Sequence, residues 1–187
     1  MTKTHTARKR NARDQLASAA NMLSILKRPL LESLKAQNSE LKRGDFLWHF
    51  LLQSFATLGG VSGWDGLMGD QNNYREMSYN RLQNLSPKKR VGHAAAVFEV
   101  AKVRYPNQKA KNIIACFDRI ESLGGLRKAK KTLLNQSGRT GKIKFLKSFA
   151  GIGDKYARNI MMDVYHEDFR DSIAIDSRIQ AISDQWE

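Results

Sequence analysis

The 187-residue chain carries 32 Lys and Arg against 18 Asp and Glu, a net charge of +14, and its 41% apolar content is enough to bury the core of one domain, or of one domain built as two small lobes. Its single cysteine, Cys116, excludes an internal disulfide and any four-cysteine zinc or iron–sulfur site. No stretch approaches the roughly 18 apolar residues of a membrane span, and the polar, basic N-terminus has no apolar segment of the kind that directs secretion.

Residues 1–10, rich in Thr, Lys and Arg, read as a disordered basic arm, and 11–187 as a single helical domain. Leu16, Ala19, Ala20, Leu23, Leu26 and Leu30 form a helical stripe, expected to break or bend near Pro29. Asp45 is a candidate N-cap for a strongly apolar helix from Phe46 to about Leu58, ended by Gly59-Gly60. His49, near Phe46 and Phe50, reads as a core histidine. Residues 60–73 hold four glycines and are expected as loop, with Trp64 and Tyr74 flanking it as candidate walls of a base pocket. Tyr74–Leu85 is expected as one helix, and Ser86-Pro87 opens another that runs to about Arg104. Pro106 resets the chain before a helix over Lys109–Leu123. Cys116 lies on its apolar stripe with Ile113 and Ile120, as buried filler rather than a nucleophile. Gly124-Gly125 stops that helix, and short basic helices follow over 125–135 and 141–150. Asp176 begins a last helix through Ile179 and Ile182. No alternating strand pattern and no repeat occur, so the fold class is all-α.

The most informative stretch is Phe149-Ala-Gly-Ile-Gly-Asp-Lys155-Tyr-Ala-Arg-Asn-Ile. Two glycines separated by one apolar residue make a tight hairpin, because glycine reaches positive φ without steric cost. Ile143, Leu146, Phe149 and Ala150 trace one helical stripe before it. Ala157, Ile160, Met161 and Val164 trace another after it. The pattern is helix, hairpin, helix. Lys155 stands at the start of the second helix, and Asp176 follows an apolar Ile-Ala-Ile run 21 positions later.

Charge is distributed unevenly. Residues 86–158 hold eighteen Lys or Arg against four acids, whereas residues 163–187 hold seven acids against two arginines. Surface lysines are usually offset by glutamates. Here they are not, which favours a polyanion such as nucleic acid as partner. An acidic membrane would call for a Trp- or Phe-rich amphipathic face, which is missing.

These residues resemble the signature of the helix-hairpin-helix DNA glycosylases, the superfamily that contains endonuclease III and the oxoguanine glycosylases: Leu-Pro-Gly-Val-Gly-x-Lys-x-Ala, then some twenty residues on, an apolar-Val-Asp-x-His. Ala150 replaces the proline, and Arg178 stands where the histidine is usual. Weaker likenesses lie in Leu51-Leu-Gln-Ser-Phe-Ala-Thr57 and Lys109-Ala-Lys-Asn-Ile-Ile114, so the resemblance spans about Phe46 to Arg178. It implies a compact multi-helix fold of two small lobes with the active-site cleft between them. The implied activity is base excision repair, in which a damaged or mismatched base is flipped and excised with an associated AP-lyase step. A monofunctional glycosylase, or a non-catalytic helix-hairpin-helix DNA-binding protein, are the alternatives.

In that frame the hairpin backbone of Gly151, Ile152 and Gly153 grips a phosphate, helped by the following helix N-terminus. Asp176 stabilises the oxocarbenium-like centre left by the departing base, although an aspartate at a helix start is also an ordinary N-cap. Lys155 is the nucleophile of the lyase step, the bifunctional members being those with lysine there. The bland reading is a solvated lysine on a first helical turn. Gln53 reads a base edge or caps a buried carbonyl, Phe55 wedges into the DNA gap or fills the core, and Arg158 adds a DNA contact. Endonuclease III carries a four-cysteine cluster that this chain cannot build, so no cofactor and no side-chain metal site are expected. A monovalent cation on the hairpin backbone is compatible with the motif. Double-stranded DNA is the expected partner of a monomer, without a membrane, inside the cell in the cytoplasm, nucleoid or nucleus.

Overall fold

The computed structural model describes residues 2–37, 40–57, 61–172 and 181; among them all regular structure is helical and no strand occurs. The chain divides into two units, Met1–Ser39 with Ile175–Glu187, and Glu40–Ala174. The first unit contains α1 (Thr2–Gln37). The stretch expected as a disordered arm therefore enters a helix at Thr2, in keeping with the good intrinsic propensities of its Ala, Arg and Lys residues. Pro29, where the sequence leads one to expect a break or a bend, lies inside this helix, which is not broken there. The apolar stripe of α1 is exposed, from Leu16 at 55% to Leu26 at 66%.

In the second unit a 3-10 turn, Glu40–Lys42, leads to α2 (Phe46–Thr57), then α3 (Val61–Trp64), α4 (Gln71–Glu76), α5 (Tyr79–Gln83), α6 (Pro87–Val100), α7 (Pro106–Ser122), α8 (Leu126–Leu134), α9 (Gly138–Lys147) and α10 (Asp154–Asp163), with a final 3-10 turn at Glu167–Phe169. The central element is α2. Nine of its twelve residues are buried, and only His49, Gln53 and Thr57, spaced by four, escape the core. It packs on α7, α8 and α10. Trp48 donates its indole N–H to Met77 O at 2.8 Å and meets Phe117 edge-on, so even the polar atom of this fully buried ring is satisfied.

Three expectations change on contact with the structure. The glycine-rich stretch is not loop: α3 is followed by a π-helical turn over Asp65–Gly69. Glycine there serves close packing rather than a turn, since a Cβ on Gly66 would stand 2.1 Å from Ala101 O. The helix expected over 74–85 is two, because Asp70 caps α4 through the amides of Asn72 and Asn73 and Ser78 caps α5 through the amide of Arg81. Helix α6 stops at Val100 rather than near Arg104, and Lys102 and Tyr105 both adopt φ of +56° in the connection to α7. The helix expected from Asp176 lies outside the described residues.

Candidate functional site

The hairpin has the predicted place, between α9 and α10. Gly151 has φ of +79°, and a Cβ there would lie 2.9 Å from both the Phe55 ring and Asn112 Nδ2. Backbone conformation and packing both demand glycine at this position. Gly153 differs: φ is −93°, and nothing stands within 4 Å of where its Cβ would be. The fold does not require glycine at 153; an approach from outside the protein would. Ile152, 5% exposed, pins the hairpin to the core, and its N–H bonds Phe149 O at 3.1 Å. Cys116 is buried as expected, with its thiol pushed up to about 12 by burial and its Sγ 3.3 Å from Ala150 O. It is thus a prop beneath the hairpin.

Lys155 occupies the first turn of α10, exposed, on a different face from the buried Ala157, Ile160 and Met161. Asn159 and Asp163 follow at intervals of four, so Lys155, Asn159 and Asp163 form one polar stripe along α10. It faces the polar stripe of α2. Gln53, Ser54 and Thr57 of α2 and Lys155, Asn159 and Asp163 of α10 line a cleft of about 150 Å³. Gln53 Nε2 donates to Asp163 Oδ2 at 3.0 Å, joining residues 110 positions apart. The surface of Asp163 is open to solvent on one side, yet its carboxyl is crowded by protein atoms. That lost hydration raises its pKa above the usual aspartate range, against the opposing pull of the Gln53 hydrogen bond. Asp163 belongs to no sequence motif, although the i, i+4, i+8 polar stripe of α10 is visible in sequence. Its pairing with Gln53 is not.

The remaining expected site residues fare differently. Phe55 is 5% exposed and its ring lies under Gly151, so it supports the hairpin and is not a wedge. Arg158 is half-buried with Nη1 3.9 Å from Asp154 Oδ1, while Asp154 also accepts from Lys147 Nζ at 2.7 Å. Tyr74, expected near a base pocket, instead has its hydroxyl 2.8 Å from His49 Nδ1 and accepts from Arg43 at 3.0 Å. His49 is thereby a satisfied core histidine, its pKa lowered by desolvation and by the Arg43 guanidinium. Asp176 and Arg178 lie outside the described residues. Among the described residues no cluster of His, Cys, Asp and Glu has the makings of a metal site, and no helix is long and apolar enough to cross a membrane.

Two lysines hold the site from behind. Lys109, 3% exposed, donates Nζ to Phe55 O at 2.7 Å near the C-terminal end of α2, where a cation suits the helix dipole. Burial, reinforced by Arg104, lowers its pKa to about 8. Lys142, 4% exposed, donates to Gln136 O at 2.7 Å and Asp168 Oδ2 at 2.8 Å, tying α9 to the turn that follows α10. No protein-family model, curated protein or solved structure matches this chain.

Proposed function

We propose that this chain is a DNA glycosylase that excises a base from duplex DNA and cleaves the resulting abasic site through Lys155. The observation that carries the reading is Lys155 itself. It stands in the first turn of α10, directly after a hairpin whose Gly151 has a backbone and packing that disfavour any side chain, and it borders a polar cleft built by Gln53, Asn159 and Asp163. The spare glycine at 153 and the basic stretch over 86–158 add support, since both favour close approach of a phosphate backbone. In the proposed reaction the target nucleotide leaves the stack and enters the cleft. The Lys155 amine attacks C1′, and the C1′–N bond breaks with its electron pair leaving on the base, which takes up a proton. The amine loses its protons and the sugar ring opens, giving an imine. Removal of a C2′ proton then expels the 3′ phosphate, and water hydrolyses the imine to free the lysine. In this proposal Asp176 stabilises positive charge at C1′.

Borohydride trapping on duplex DNA carrying an abasic site tests this. Reduction of the imine is expected to cross-link the wild-type protein, and Lys155→Gln is expected to abolish both the cross-link and strand nicking, because an amide forms no imine. A Lys155→Gln protein that still cross-links overturns the assignment and directs attention to Lys109, the amine whose pKa is lowered to about 8. A wild-type protein that releases bases without cross-linking is a monofunctional glycosylase. One that binds DNA and does neither is a non-catalytic hairpin protein.

A further inference from the structure

With Phe55 buried, base extrusion in this protein still needs a group that fills the vacated space in the duplex. The segment joining α6 to α7 supplies a candidate. Tyr105 is 70% exposed, whereas every other aromatic side chain among the described residues is buried or half-buried. It adopts φ +56° and ψ +53°, a left-handed conformation that side-chain-bearing residues avoid, and Pro106 immediately fixes the chain after it. Strain held at an exposed aromatic residue marks a position whose direction matters more than its comfort.

Tyr105 is also one wall of a second cavity, of about 200 Å³, which adjoins the polar cleft through Ser54 and Tyr156. Phe55 and Tyr156 supply further aromatic surface, Gln108 and Asn112 an amide edge, and Gly151 its bare backbone. The amide pair is mutually oriented, Gln108 Nε2 donating to Asn112 Oδ1 at 3.2 Å, which leaves a donor on Asn112 and an acceptor on Gln108 for an edge-on partner. Exposed Lys102, Arg104 and Lys111 surround it in sequence. Aromatic faces on which a base stacks and cationic groups that meet its backbone, here Arg104 close enough to act on the cavity residue Lys109, are how proteins hold an unpaired nucleotide, and amides bond its edge.

We infer that this cavity is a stacking site for an unpaired nucleobase of duplex DNA, with Tyr105 as the side chain that inserts where a nucleotide is missing or extruded. The inference rests on the reading of the chain as a DNA-binding protein but not on Lys155 chemistry. Tyr105 is uncharged, so it adds preference for a gapped stack without adding to the count of counterions released.

The test compares a duplex containing a tetrahydrofuran abasic analogue, with 2-aminopurine opposite it, against the intact duplex of the same sequence. Wild-type protein is expected to prefer the abasic duplex and to change the 2-aminopurine fluorescence on binding. Tyr105→Ala is expected to lose about ten-fold or more of that preference and the fluorescence change. Affinity for intact duplex, its salt dependence and the thermal midpoint stay the same, since the ring is exposed in the free protein. Tyr105→Phe keeps the wild-type behaviour. An alanine variant with undiminished preference overturns the inference, as does a wild-type protein that binds both duplexes equally. A wild-type protein that binds neither duplex overturns the DNA reading with it. Failure to cross-link under borohydride, with the Tyr105 effect intact, removes the lyase reading alone.

Discussion

Helices α2 and α10 build two cavities that share Ser54 and Tyr156 and differ in nearly everything else. On one side stand Gln53, Asn159, Asp163 and Lys155; on the other, Phe55, Tyr105 and the hairpin backbone at Gly151. Both follow from helical periodicity. A step of four residues keeps a polar stripe on one line, while Phe55, two positions past Gln53, points about 200° away around the helix. Adjacent residues of one short segment thus serve chemistry that needs protons and charge, and packing that needs flat apolar surface. The contrast teaches that α2 organises the site as a divider rather than as a contributor of one exposed functional face.

The sharpest way to break this comparison is at the two hairpin glycines, which look alike in sequence and differ in space. Gly151→Ala must place a Cβ at positive φ against the Phe55 ring and Asn112, and is expected to cost about 3 kcal/mol in folding stability by denaturant titration. Gly153→Ala meets open space at an ordinary φ and is expected to stay within about 0.5 kcal/mol of wild type. If the hairpin grips a phosphate, Gly153→Ala nonetheless weakens duplex binding. A fully stable Gly153→Ala protein with unchanged affinity would make the hairpin a structural corner only.

A smaller effect probes what holds the polar side in place. Lys142→Met removes a buried ammonium whose two acceptors, Gln136 O and Asp168 Oδ2, tie α9 to the turn after α10. We expect a loss of about 2 kcal/mol, read from the shift in denaturation midpoint. The Lys142 hydrogen bond, with its charge, holds the Asp168 carboxyl below the usual aspartate range. This contribution is present above the unfolded-state pKa and is lost as pH falls through the depressed folded-state one. Acid titration should therefore narrow the gap between wild type and variant at low pH, down to what the Gln136 O hydrogen bond and the packed stem contribute. A gap that is unchanged in strong acid would mean that these, not the ion pair, carry the effect.

How much of this was legible in the sequence depends on the range of the interaction. The hairpin and both helices beside it were readable, because capping, glycine and 3.6-residue periodicity are local: Ala157, Ile160, Met161 and Val164 are all buried. Phe55 was not. On a helix buried almost all round, an aromatic residue facing a neighbouring backbone and one facing solvent leave the same local pattern. The loop expected over 60–73 is mostly helical where it is described, because a glycine such as Gly66 answers to a distant partner, Ala101 O, rather than to a turn. Likewise the stripe of α10 was visible, but its pairing with Gln53 across 110 residues is a property of the packed fold.

The smallest effect concerns Asp163, and it separates a functional carboxylate from a structural one. Desolvation raises its pKa above the ordinary aspartate value of about 3.9, so the folded protein binds this proton more tightly than the unfolded chain does. Between the unfolded value and the raised folded one, the folded state carries more protons, and stability therefore falls as pH rises through that window. Above it the ionised carboxylate is a constant cost. Asparagine is neutral at every pH and its Oδ1 can still accept from Gln53 Nε2. Asp163→Asn is thus expected to be more stable than wild type near neutral pH by about 0.5 kcal/mol, a figure kept small because the residue is partly open to solvent. The gain should vanish below about pH 3, where the aspartate is itself protonated. A protein that gains stability while losing base release or nicking has given up a group retained for chemistry. A variant that is instead less stable at neutral pH would show that the carboxylate is anchored by favourable charge interactions that outweigh its desolvation, and would make Asp163 part of the scaffold of the cleft.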